Sequence, residues 1–146
     1  MLLYGGMEKI ICYTDGGARG NPGPAGAGAV VAKADGTVIA ELSQFLGNAT
    51  NNFAEYAAVL LALKELKRRF GGKTKSLAVE IHMDSQLIQR QLAGQYQIKE
   101  PGLVPQFIEI HNLRVRDFLH ITFVHIPREK NKSADRLANE AMDRKW

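Results

Sequence analysis

A chain of 146 residues is long enough to bury a core of its own, and its single cysteine, Cys12, leaves neither a disulfide framework nor a CxxC zinc pair. No apolar run approaches the roughly 20 residues that cross a bilayer, which excludes a helical membrane protein and leads us to expect a soluble, cytoplasmic one. Nineteen Lys and Arg against fifteen Asp and Glu give a net charge of +4, which admits a polyanionic partner without requiring one. There is no internal repeat, low-complexity tract or linker, so residues 1–146 are expected to form one domain behind a flexible leader at 1–7.

The apolar run Ile10 to Tyr13 predicts a strand that delivers Asp15 to the sheet's end before the chain turns in TDGGARGNPGPAGAG, Thr14 to Gly28. Gly16, Gly17, Gly20 and Gly23 are expected to permit positive φ and close backbone approach by a ligand, with Asn21, Pro22 and Pro24 stiffening the turn. Ala25 to Lys33 and Val38 to Leu46 flank an Asp-Gly pair and read as a hairpin, completing an antiparallel meander with the first strand. After the polar stretch Asn48 to Asn52, residues 53–70 combine strong helix formers with no breaker before Gly71 and Gly72. Glu55, Ala58, Val59, Ala62 and Leu66 share one stripe of that helix, and Asn52 with Glu55 has the spacing of a capping box.

Leu77 to Met83 predicts a buried strand that again ends on an acid, Asp84, and Ser85 to Ala93 a short helix. A helix over Leu103 to Asp117, a strand over Leu119 to Ile126 and a last helix from about Asn131 follow, with Asp135 in the last helix's first turn. A meander followed by helix, strand, helix, helix, strand, helix specifies an α/β fold with a five-stranded mixed sheet flanked by helices. Right-handed crossovers set the first strand beside the strand ending at Asp84, acid-bearing ends at the same edge.

Each acid has a plain structural explanation when read alone: a strand-end turn for Asp15, a cap partner for Glu55, a macrodipole partner for Asp135. Together, Asp15, Glu55, Asp84 and Asp135 can converge at one edge, where four carboxylates repel unless cations neutralise them. Hard oxygen donors without a thiolate or a histidine pair favour Mg²⁺ or Mn²⁺.

The segments YTDGGARGNPGPAG, TNNFAEYAAVLLAL, MDSQ and PREKNKSADRLANEA, in this order and spacing, resemble the four signature segments of type 1 ribonuclease H, of the prokaryotic and archaeal kind. The resemblance runs from about Glu8 to Arg144. It implies the ribonuclease H-like fold and an endonuclease that hydrolyses the RNA strand of RNA/DNA hybrids with two divalent ions, leaving 5′-phosphate and 3′-hydroxyl ends. Matching motif to motif, Asp15, Glu55, Asp84 and Asp135 would be the catalytic metal ligands. Asn51, Asn52, Gln86 and the backbone at Ala18, Gly20 and Asn21 would be minor-groove contacts, through which 2′-hydroxyls distinguish RNA from DNA. Thr50 would hold a DNA-strand phosphate, and Arg128 and Asn131 would be further substrate contacts of a monomeric enzyme.

Two departures stand out. The mobile loop with a catalytic histidine is missing, and His125, ten residues before Asp135, lies within an apolar run and reads as an ordinary strand residue. Residues 94–104 are short and weakly charged, so a basic handle is missing too, and grip on a hybrid would fall to Lys64, Lys67, Arg90, Lys99 and Arg128. A binding module without turnover is disfavoured by the full set of acids. A DNA nuclease of the same fold is disfavoured by Asn51, Asn52 and Gln86.

Overall fold

The computed structural model describes residues 6–146, and positions 1–5 of the expected leader lie outside the described residues. Strands β1 (Glu8–Ala18), β2 (Gly23–Lys33) and β3 (Val38–Ala49) form the antiparallel meander. Helix α1 (Asn51–Phe70) crosses to β4 (Leu77–Met83), which pairs parallel with β1. Helices α2 (Gln86–Leu92) and α3 (Val104–Arg116) lead to β5 (His120–His125), parallel with β4, and α4 (Lys132–Arg144) ends the chain. The strand order β3-β2-β1-β4-β5 is the predicted five-stranded mixed sheet.

Alternation along the strands decides which face is covered. Ile10 and Cys12 of β1 and Leu77, Val79, Ile81 and Met83 of β4 are buried with Tyr56, Val59, Leu63 and Leu66 of α1 and Ile110 and Leu113 of α3. Burial of the Cys12 sulfur in this layer pushes its thiol up to about 12, so it stays a protonated core residue. Helix α4 lies on the opposite face over β2, where Gly26 and Gly28 make room: a Cβ at Gly28 would come within 2.3 Å of the Ala134 carbonyl oxygen. Its apolar stripe, Ala134, Leu137, Ala138, Ala141 and Met142, is buried.

Three local expectations change. β1 does not stop at Asp15 but stays paired with β2 as far as Ala18, opposite Ala25. Gly16 is needed for packing, not turning, since a Cβ there would lie 2.2 Å from the Ala54 carbonyl carbon and oxygen of α1. Of the four glycines at 16, 17, 20 and 23, only Gly20 has positive φ, at 95°. Finally, β3 runs through Ala49 and α1 starts at Asn51, so Thr50 is the N-cap, its Oγ1 accepting from the Phe53 N–H at 3.2 Å. Asn52 is inside the helix, and the capping box with Glu55 does not form. A hydroxyl at Thr50 reaches the third helical N–H directly, the better solution for an orphan donor.

Candidate active site

Each acid is brought to the sheet's edge by a different element. Asp15 sits within β1 opposite Gly28 of β2, and Asp84 follows β4 directly, where the register pairs Thr14 with Met83. Parallel pairing thus sets these two carboxylates side by side. Glu55 arrives because Gly16 lets α1 close onto β1, and Asp135 because α4 beds down on Gly26 and Gly28. One oxygen from each of Asp15, Glu55 and Asp84 lies within 4.8 Å of the others, and Asp135 hydrogen-bonds to Asp15. All four line an open cleft of about 490 Å³ with Asn51, Arg19, Ser85, Arg128 and Asn139.

The cleft is electrostatically frustrated. Burial, then the charge of Asp84 and contact with Asp135, raise the Asp15 carboxyl to about 8, against the pull of the Gly16 N–H. Glu55 is held well above its usual range by burial and by Asp15 and Asp84, with the Gly16 N–H and Arg128 acting the other way. Opposing cations are scarce, since Arg19 at the rim is already paired with Asp143 at 2.6 Å. An all-oxygen donor set, tightly spaced and under-neutralised, fits a hard divalent cation, and the residues that could hold it are Asp15, Glu55, Asp84 and Asp135.

The expected substrate contacts divide into surface groups and fasteners. Gln86, Arg128 and Gly20 are exposed beside the cleft. Asn51 instead pins the turn, its Oδ1 accepting from the Ala18 N–H at 2.8 Å and its own N–H donating to Asn21 Oδ1 at 3.0 Å. Asn52 donates to Glu100 Oε1 at 2.6 Å. Asn131 is 1% exposed, and its Nδ2 donates to the Thr14 carbonyl at 2.9 Å and to Asp84 Oδ2 at 3.1 Å. The expected substrate contact is thus a buried partner of Asp84. Lys64 and Lys67 are tied across α1 and α3 to Glu109 at 2.8 Å and Asp117 at 2.7 Å. Arg90 bonds Tyr96 and lies over its ring.

His125 ends β5 exposed and opposite Met83, outside the cleft lining. Asn139 was not singled out by the sequence, yet its Nδ2 donates to Asp135 Oδ1 at 3.3 Å. Its position four residues after Asp135 on a helix is the signal that could have found it. No helix among the described residues is long and apolar enough to cross a membrane.

Residues 13–141 match a family model described as reverse transcriptase-like. A bifunctional protein of Mycobacterium tuberculosis is 43% identical over 136 residues, 92% of this chain. Ribonuclease HI of Halobacterium salinarum is 40% identical over 135 residues, also 92% of this chain. The chain spans 36% of the mycobacterial relative's length and 65% of the halobacterial one's. The solved structure of LC11-RNase H1 in complex with an RNA/DNA hybrid superposes with a TM-score of 0.89 at 50% identity, covering 92% of this chain and 97% of that one. The cleft of four carboxylates therefore lies on the fold and sequence of known ribonucleases, and the chain belongs to the type 1 ribonuclease H family.

Proposed function

We propose that this chain acts as one catalytic domain that hydrolyses the RNA strand of RNA/DNA hybrids, with Asp15, Glu55, Asp84 and Asp135 holding two Mg²⁺ or Mn²⁺ ions. The observation that carries the reading is the convergence of three carboxylate oxygens within 4.8 Å in a cleft where acids outweigh cations. The hybrid-bound structure of a relative at 50% identity supports the choice of substrate. When bound, the ions would supply activation of the attacking water and neutralisation of the departing 3′ oxygen. No protein nucleophile is required.

The chain's own groups have separate tasks. Asn131 holds one oxygen of Asp84 so that the other is left for the cleft. Exposed Arg128, close enough to act on the Glu55 carboxylate, presents its guanidinium at the rim where a backbone phosphate would pass. Asn52, whose Nδ2 donates to Glu100 Oε1, would keep its Oδ1 as an acceptor, and with the Gln86 amide it would probe the minor groove. Thr50, whose hydroxyl already caps α1, would add a phosphate contact with its remaining donor.

Labelled RNA/DNA hybrid, double-stranded RNA and double-stranded DNA, each incubated with Mg²⁺, Mn²⁺ or EDTA, test the reading. The expected result is cutting of the RNA strand of the hybrid with either metal and none in EDTA; cleavage of double-stranded DNA, or of nothing, would sink it. Size-exclusion chromatography with light scattering should give a monomer.

His125 bears on leaving-group protonation. A general acid is worth about 100-fold to 10⁴-fold, and this histidine lies outside the cleft. His125→Ala should lower kcat by less than about tenfold, with an unaltered pH–rate profile. A large, pH-dependent loss of rate in a protein that melts normally would restore it as the acid.

A further inference from the structure

Asp135 is the most exposed of the four carboxylates, and burial does not fix its rotamer. Besides its contact with Asp15, it is held by Asn139, whose Nδ2 donates to the Asp135 carbonyl at 3.0 Å and to its Oδ1 at 3.3 Å. An amide is nearly symmetric in shape and opposite in hydrogen bonding at its two ends. Turned over, Asn139 would set its own oxygen against a carboxylate. Arg19 prevents this: its Nη2 donates to Asn139 Oδ1 at 3.3 Å and to the Asn139 carbonyl at 3.5 Å, while Nη1 is anchored by Asp143 at 2.6 Å.

Arg19 belongs to the turn between β1 and β2. That turn is also fastened to the start of α1, through Asn51 bonded to Ala18 and Asn21. We propose that Arg19 and Asn139 are positioning residues: Arg19 sets the amide orientation of Asn139, Asn139 sets the Asp135 carboxylate for a divalent cation, and the pair ties that carboxylate to the turn expected to contact RNA. The inference rests on the reading of the four acids as a cation site.

A competing account has a definite sign. If Arg19 acted only as a nearby positive charge, it would oppose cation binding, and removing it would tighten the site. Acting through Asn139, its removal loosens the site. Outer partners of metal ligands are worth about 10-fold to 100-fold in metal affinity. At this exposed position the lower end is expected.

The test is Mn²⁺ binding to the full chain without nucleic acid, followed by calorimetry or by the electron-paramagnetic signal of free Mn²⁺. Asn139→Leu, which keeps the branched outline and removes the donor, should weaken binding by about tenfold, and Asn139→Ala should match it. Arg19→Gln should weaken it less, and in the Asn139→Leu background it should have no weakening effect left, a non-additivity that a double-mutant cycle reads directly. Melting temperatures without metal should stay level, since both side chains sit at the surface. Unchanged Mn²⁺ affinity in both Asn139 variants, tighter binding in Arg19→Gln, or additive effects would each overturn the proposal. So would a loss of affinity accounted for by unfolding. Hybrid cleavage by the unmutated chain is scored separately. Weakened Mn²⁺ binding in the variants with no hybrid cutting by the parent would keep this inference and reject the proposed activity. Cutting by the parent with unaltered Mn²⁺ binding in the variants would do the reverse.

Discussion

Asp15→Asn is expected to abolish hybrid cleavage and, in EDTA at pH 8, to make the protein more stable than its parent. The two effects share one cause. Asp15 is 8% exposed, lies against Asp84 and Asp135, and its carboxyl is raised to about 8. On the proposed reading, losing its charge removes one of the four cation ligands, and a metal's charge stabilisation of several kcal/mol corresponds to at least about 10³-fold in rate. Without metal, the folded protein retains a proton on Asp15 that the unfolded chain releases near pH 4. The unfolded state therefore binds fewer protons between about pH 4 and pH 8, and stability falls as pH rises through that window. An amide at position 15 does not titrate, so the variant should match its parent near pH 4 and exceed it increasingly towards pH 8. One pKa unit is worth about 1.4 kcal/mol. Even half of the displacement gives about 3 kcal/mol at pH 8, or about 10 °C in melting temperature. Some slope should persist in the variant, because Glu55 is also raised. Thermal melts across that pH range in EDTA, with single-turnover cleavage in Mg²⁺, decide the matter. A variant that melts below its parent at pH 8, or that cuts at the parental rate, would show that the four acids are not a mutually repelling cation site.

Asp15, Asp84 and Asp135 were legible because an acid at the end of an apolar run, or at the start of an amphipathic helix, interrupts a strong periodic pattern. Strand β4 matches its predicted bounds, Leu77–Met83, and α1 was clear from its helix formers. What was not legible depends on distance between elements. Gly16 and Gly17 read as a turn, yet β1 passes straight through them, because a glycine required by a neighbouring backbone looks the same in sequence as one required by positive φ. Thr50 and Asn52 are both good caps, and only the extension of β3 to Ala49 puts Thr50 at the helix boundary. Asn131 resembled a surface contact and is buried behind Asp84. Lys64 and Lys67 looked free for a duplex until α3 brought Glu109 and Asp117 against them. With Asp117 2% exposed and held below the usual carboxylate range by Lys67 and Arg116, that part of α1 serves the scaffold.

The same two glycines give the sharpest test of how the site is assembled. At Gly16 an added Cβ would lie 2.2 Å from the carbonyl carbon and oxygen of Ala54 and 2.5 Å from the Glu55 nitrogen, all backbone atoms inside α1. None of them can rotate aside, so α1 must retreat by more than an ångström. That opens the layer between Ile10 and Cys12 on one side and Tyr56 and Val59 on the other, and carries Glu55 away from Asp15. Overpacking typically costs about 1–3 kcal/mol, and more where backbone rather than side chain must move. Gly16→Ala should therefore sit at or above about 3 kcal/mol, lowering the melting temperature by roughly 10 °C. Misplacing a ligand by about 1 Å can cost about 100-fold in rate, so cleavage by whatever remains folded should fall at least that far. Gly17→Ala is the matched control, since its Cβ would meet nothing closer than 3.9 Å. Both residues lie in β1 and neither has positive φ, so backbone conformation alone predicts the same effect at both. Close packing predicts a severe loss at 16 and a change within about 0.5 kcal/mol at 17, the range of ordinary surface substitutions. Equal melting temperatures for the two variants would mean that α1 does not rest on Gly16, and that Glu55 reaches the cleft by some other constraint.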